Sequence, residues 1–205
     1  MTNAVPKLLL IVLATVPATA QPAGKIHACV AADIQIPMTL LVRAEAITAR
    51  MLATAGVEID WPSKRVFACN EAPRPDTVKL KLVADAAEDL HPGALAYAQL
   101  HEGTEIVIMF DRVDRCAIGR NRAPEKSNIL AHVMTHEITH LLQGIARHSE
   151  TGVMKAHWST KDFLEMEYSP LPFAPEDIEL IRRGMARPAW DFNAIAEVAS
   201  TMSFR

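Results

Sequence analysis

Apolar and polar residues alternate along several short stretches of this chain and recur at helical spacing along others. Lys25 to Ile36 is β-prone and reads as a first strand. The period then changes. Leu40, Leu41, Ala44, Ile47, Met51, Leu52 and Ala55 recur at helical spacing, with Arg43, Glu45 and Arg50 between them. This predicts an amphipathic helix covering one face of a sheet. The fixed φ of Pro37 suits its first turn, and Gly56 supplies a stop. Val57 to Trp61 alternates and predicts a second strand, while Arg65 to Cys69 is too short to assign. Asn70 to Asp76, with Pro73 and Pro75, predicts a loop. Thr77 to Val83 alternates cleanly, a third strand with one apolar side. Asp85 to Gly93 is polar and loop-like. Ala94 to Leu100 and Thr104 to Phe110 predict two more strands, with His101-Glu102-Gly103 as a tight hairpin between them. Asp111 to Lys126 is arginine-rich and reads as an irregular, solvated segment.

Helical spacing returns beyond it. Ile129, Leu130, Val133, Met134, Ile138, Leu141 and Leu142 bury most of a helix, which Ser127 or Asn128 can cap and Gly144 can end. So much apolar surface places this helix at the centre of the fold. A shorter helical stretch runs from Lys161 to Glu167, and Pro170 and Pro172 break it. Pro175 opens another helix through Arg183 with Gly184 as its stop, and Ala189 to Arg205 holds a weak helical pattern. The expected class is α+β: a twisted mixed sheet, a covering helix, a central helix and a small helical C-terminal part.

Composition narrows the class. The chain has 205 residues, half of them apolar and 22% charged, with a net charge of −3. That suits one globular domain and argues against nucleic acid, whose phosphates want a basic face. The first twenty residues stand apart. Lys7 precedes the apolar run Leu8 to Val16, and Ala18-Thr19-Ala20 reads as a small-residue cleavage site. This is the pattern of a secretory signal peptide. The run is shorter than the roughly 20 residues that span a bilayer. No cysteine follows the cleavage site to carry a lipid, so no stable membrane anchor is expected. Residues 21–205 then form a single secreted or periplasmic domain. Cys29, Cys69 and Cys116 remain. In an oxidising compartment two of them should pair, in any of three combinations that sequence does not distinguish.

Chemistry is written in one stretch, HEITHLLQGIARHSETGVM, from His136 to Met154. Two histidines four apart on a helix share a face and can grip one zinc ion, with Glu137 beside the first as general base. A catalytic zinc takes three protein ligands and leaves a fourth position for water. His148, beyond Gly144, is the nearest third ligand. Glu150, His157, Asp162, Glu165 and Glu167 are its rivals, and Glu165 and Glu167 sit on a downstream helix that could complete such a site with a carboxylate.

This stretch resembles the metzincin zinc endopeptidases, whose pattern is H-E-x-x-H-x-x-G-x-x-H followed by a methionine turn. The resemblance implies His136, His140 and His148 as zinc ligands, Glu137 as general base and Met154 as the Met-turn residue. His148-Ser149 is similar to the His-Ser that matrixins carry at the third ligand. The wording as a whole is similar to a group of small exported bacterial zincin-like proteins. The spacing departs from the pattern: Gly144 comes four residues after His140, and His148 four after Gly144. No tyrosine stands just after Met154. The implied activity is zinc-dependent peptide hydrolysis on a peptide or protein substrate. A substrate strand could add to a sheet edge at Ala94 to Leu100, with Tyr97 and His101 near the cleft or serving as core and turn residues. Two other functions share this sequence: a non-catalytic zinc-containing binding module on a protease-like fold, and a hydrolase of small amides. Oligomeric state stays open.

Overall fold

A computed structural model describes residues 24–61, 69, 77–84, 93–99, 105–118 and 125–187. In chain order its elements are β1 (Gly24–Ala32), α1 (Met38–Thr54), β2 (Val57–Asp60), β3 (Thr77–Val83), β4 (Ala96–Gln99), β5 (Glu105–Met109), α2 (Phe110–Ile118), α3 (Glu125–Gln143), α4 (Thr160–Met166) and α5 (Pro175–Met185). The strands form one sheet in the order β2-β1-β3-β5-β4. Its neighbours are parallel except β4, which runs antiparallel to β5 and forms an edge. Parallel neighbours need a crossover connection, and α1 supplies it between β1 and β2.

The alternation in β3 gives that strand two chemistries. Val78, Leu80 and Leu82 are fully buried. Lys79 and Lys81, between them, pair with Glu105 at 2.7 Å and Asp33 at 3.0 Å. Along β3, one side therefore joins the core and the other carries lysines that reach water. β1 stops at Ala32, short of Ile36, as Asp33 N–H makes a last bond to the Leu82 carbonyl at 3.0 Å. A disulfide joins Cys29 of β1 to Cys69, on the chain leading to β3, and Cys116 lies outside that bridge.

α3 is enclosed on nearly every side. Ile129, Leu130, Met134, Ile138 and Leu141 are at most 2% exposed, and each such side chain contributes roughly 1.5–3 kcal/mol of transfer free energy. The buried threonines of this helix bond within it: Thr135 Oγ1 donates to the Ala131 carbonyl at 2.8 Å and Thr139 Oγ1 to the Thr135 carbonyl at 2.7 Å. That satisfies hydroxyls which would otherwise be costly to bury. α1, α2, α5 and β4 all pack against α3.

Three expectations change. The arginine-rich segment after Phe110 begins as a helix, α2, not as an irregular loop. Val113 and Ala117 turn inward at helical spacing, and Arg112 is buried with Nη1 bonded to the Ala94 carbonyl at 2.9 Å. A cation so placed hides an apolar stripe from a reading of the sequence. α3 starts at Glu125, so Ser127 and Asn128 lie inside it rather than capping it; Asn128 Nδ2 donates instead to the Met166 carbonyl at 2.8 Å. Gly184 is within α5, not its stop. A Cβ there would stand 1.7 Å from the Leu142 carbonyl oxygen, so this glycine lets α5 lie directly on the end of α3. The signal-peptide region, the stretch 62–68, the loops 70–76 and 85–92, His101 with its hairpin, and the tail from Ala189 lie outside the described residues.

Candidate metal centre

His136 and His140 project from one face of α3 with their Nε2 atoms 3.0 Å apart. Each ring is held from behind by a backbone carbonyl. His136 Nδ1 is 2.9 Å from the Val153 oxygen, and His140 Nδ1 is 3.3 Å from the Ile145 oxygen. A carbonyl only accepts, so Nδ1 carries the proton in both rings. Burial lowers the pKa of His136 to about 4 and that of His140 to about 3. Both are neutral at pH 7, and each turns an unshared Nε2 pair toward the other. Two lone pairs at that distance repel, and a cation between them removes the repulsion. Nitrogen atoms each about 2.0–2.1 Å from one zinc stand on the order of 3 Å apart, so the spacing fits that ion.

The third imidazole comes from the turn. Gly144 ends α3 with φ 68°, a left-handed conformation suited to glycine. The chain then returns and sets His148 with its ring centroid 5.3 Å from His136 and 5.0 Å from His140. The ligand atoms of all three histidines lie within 4.8 Å of one another, the one such cluster among the described residues. The residue added on each side of the glycine is absorbed by the helix end and the turn. Burial and the neighbouring His157 lower the pKa of His148, which keeps its lone pair available to a metal.

Glu137 follows His136 on the helix and is 9% exposed. Burial alone raises its pKa to about 7. A buried carboxyl next in the chain to His136, with a pKa near neutrality, is the kind of group that moves protons in catalysis.

No protein-family model matches the sequence, and no curated protein matches it. Among solved structures, the chain is similar to archaemetzincin from Methanopyrus kandleri. The TM-score is 0.50 at 22% identity, covering 84% of this chain and 99% of that one. The fold is zincin-like.

Within this zincin-like fold the rival ligands are placed elsewhere. Asp162 caps α4: its carboxylate accepts from the Ser159 N–H and from Lys155 Nζ, both at 2.6 Å. Burial pushes its pKa up, but these hydrogen bonds outweigh it and hold the group below the usual carboxylate range. Glu150, His157 and Glu165 are exposed, and Glu167 is half-buried; none belongs to the cluster of three histidines. Tyr97 stands in edge strand β4, in register with Val107. Val153 and Met154 are fully buried, and the Ser149 N–H donates to the Met154 carbonyl at 2.8 Å. The turn at Met154 therefore also carries the carbonyl that orients His136.

Three contributors escaped the sequence reading. His132 continues the ladder of histidines four apart, a signal open to sequence, yet it does not join the cluster. Its Nδ1 faces the Asn128 carbonyl at 2.6 Å and its Nε2 accepts from the Leu171 N–H at 3.0 Å. Trp158 stands edge-on to His136 with centroids 5.8 Å apart, and its buried Nε1 has no hydrogen-bond partner. Asp177, 1% exposed, accepts from both neighbours of His148.

Proposed function

We propose that this chain is an exported zinc-dependent endopeptidase of metzincin type. His136, His140 and His148 are its metal ligands, Glu137 its general base and Met154 its Met-turn residue. The convergence of the three imidazoles, with Glu137 next in the chain to His136, carries this reading. A zinc ion held by these histidines would supply Lewis acidity and lower the pKa of a water molecule enough to make a nucleophile available near neutral pH. The chain's own residues do the rest. Nδ1 bonds fix the His136 and His140 rings with their Nε2 atoms 3.0 Å apart. The Glu137 carboxylate accepts the proton released from the attacking water and passes it to the leaving amine. Strand β4 stands last in the sheet among the described residues, and an extended peptide can add to the sheet on that side. The His148-Ser149 pair remains the most matrixin-like detail.

Export rests on the leader pattern, and the Cys29–Cys69 bridge is in keeping with an oxidising compartment. No helix among the described residues is long and apolar enough to cross a membrane. The deciding experiment is metal analysis of the purified mature protein, with peptide-library hydrolysis before and after chelation. About one zinc per chain and cleavage that chelation abolishes are expected. Full zinc without cleavage moves the assignment to a zinc-containing binding module, and failure to retain zinc rejects the metal centre.

A further inference from the structure

His136 and His140 each have a backbone carbonyl to orient their rings; His148 has no hydrogen-bond partner among the described residues. It is also exposed and lies beyond the helix. Something other than its own side chain must hold it in place. The residues on either side of it supply the answer. Arg147 Nη1 donates to Asp177 Oδ1 at 3.1 Å, and Ser149 Oγ donates to the same oxygen at 2.7 Å. Arg147 Nη2 also pairs with Glu176. Asp177 Oδ2 accepts the Ala174 N–H at 3.2 Å, which locks the carboxylate to the start of α5. α5 in turn lies on the end of α3 at Gly184. The segment carrying His148 is thus fastened to the helix that carries the other two histidines.

We propose that Asp177 is the positioning residue for the third metal ligand: by holding Arg147 and Ser149 together it fixes the backbone that presents His148. This rests on the zinc site proposed above. A buried carboxylate survives only with partners, and here its partners flank a ligand. Groups that orient metal ligands typically change metal affinity by about 10- to 100-fold when removed, and that range sets the expected effect.

The test is a double-mutant cycle read by zinc affinity, using competition with a chromophoric chelator, and by the visible spectrum of the cobalt-substituted protein. Asp177→Asn should weaken zinc about 10- to 100-fold and shift the cobalt bands toward those of His148→Ala. In the His148→Ala background the same change should add little, because the ligand it positions is gone. Equal losses in both backgrounds would mark a general destabilisation and overturn the proposal. So would a folded Asp177→Asn protein with wild-type affinity and spectrum. If Asp177→Asn does not fold, Ser149→Ala removes one tether and should weaken zinc in the same direction by a smaller factor; no change there also overturns it. Wild-type protein that binds no stoichiometric zinc defeats the metal centre itself, whereas wild-type binding with an indifferent Asp177 defeats only this inference.

Discussion

His136 Nδ1 stands 2.9 Å from the carbonyl oxygen of Val153, a residue 17 positions further along the chain. This bond ties the central helix to the turn at Met154 and fixes the tautomer that leaves Nε2 toward His140. The arrangement sets two lone pairs face to face, so a metal bound between them should also help hold the fold together.

Metal removal should therefore lower thermal stability. Zinc at about 100 times its Kd stabilises by about 2.7 kcal/mol. For a chain of this size that corresponds to roughly 5–10 °C in Tm. Scanning calorimetry with and without a chelator checks this. His136→Ala and His140→Ala should each abolish the response; a chelator effect that persists in His136→Ala would place the responsible metal elsewhere.

The sequence made the strands, α1, α3 and the histidine run legible because each is a local pattern of buried positions. β3 was readable to the residue, since its alternation is strict and its Lys79 and Lys81 face water. α2 was not, because Arg112 is buried by a bond to the Ala94 carbonyl, a contact between segments that periodicity does not register. Gly184 was misread for the same reason: a glycine near a helix end looks like a stop, and only the approach of the Leu142 carbonyl shows otherwise. At the site, the histidine spacing was local and visible. Asp177 was invisible because it reaches Ser149 across 28 residues and resembles any acid in the first turn of a helix.

His132 should make stability depend on pH. Burial lowers its pKa to about 4, only partly offset by its bond to the Asn128 carbonyl. The unfolded imidazole titrates near 6.5, so between those values the unfolded state binds more protons. Stability from this group is full above the upper value and is lost as pH falls toward the lower one. The loss amounts to about 3 kcal/mol when complete. The cause is geometric as well: a protonated Nε2 would point a donor at the Leu171 N–H. Urea unfolding of the metal-free protein between pH 7 and pH 4, compared with His132→Gln, isolates this term, since His136 and His140 titrate in both proteins. Identical slopes would refute it.

The Cys29–Cys69 bridge closes a loop with a sequence separation of 40. Loop-closure entropy for that length corresponds to about 4 kcal/mol of stabilisation. Reduction, or Cys29→Ser, should lower the urea midpoint accordingly. Under non-reducing denaturing conditions a thiol reagent should label one position, Cys116. Labelling of all three cysteines in protein from an oxidising compartment would show that the bridge does not form.

Glu137→Gln is the sharpest test of catalysis. The substitution keeps the shape of the side chain and removes the carboxylate proposed to take a proton. General acid–base assistance is typically worth about 10² to 10⁴ in rate, so peptide hydrolysis should fall by at least that range. Zinc content should not change, because the three histidines proposed as ligands are intact and Glu137 is not among them. The two readouts separate the roles: a lost ligand lowers metal and activity together, whereas a lost base lowers activity alone. Hydrolysis and metal content are measured on the same preparations of wild type and variant. Equal cleavage by both would assign the activity to a contaminant or to another base. Loss of zinc along with activity would make Glu137 a structural support of the metal, and its burial beside His136 would then need that explanation instead.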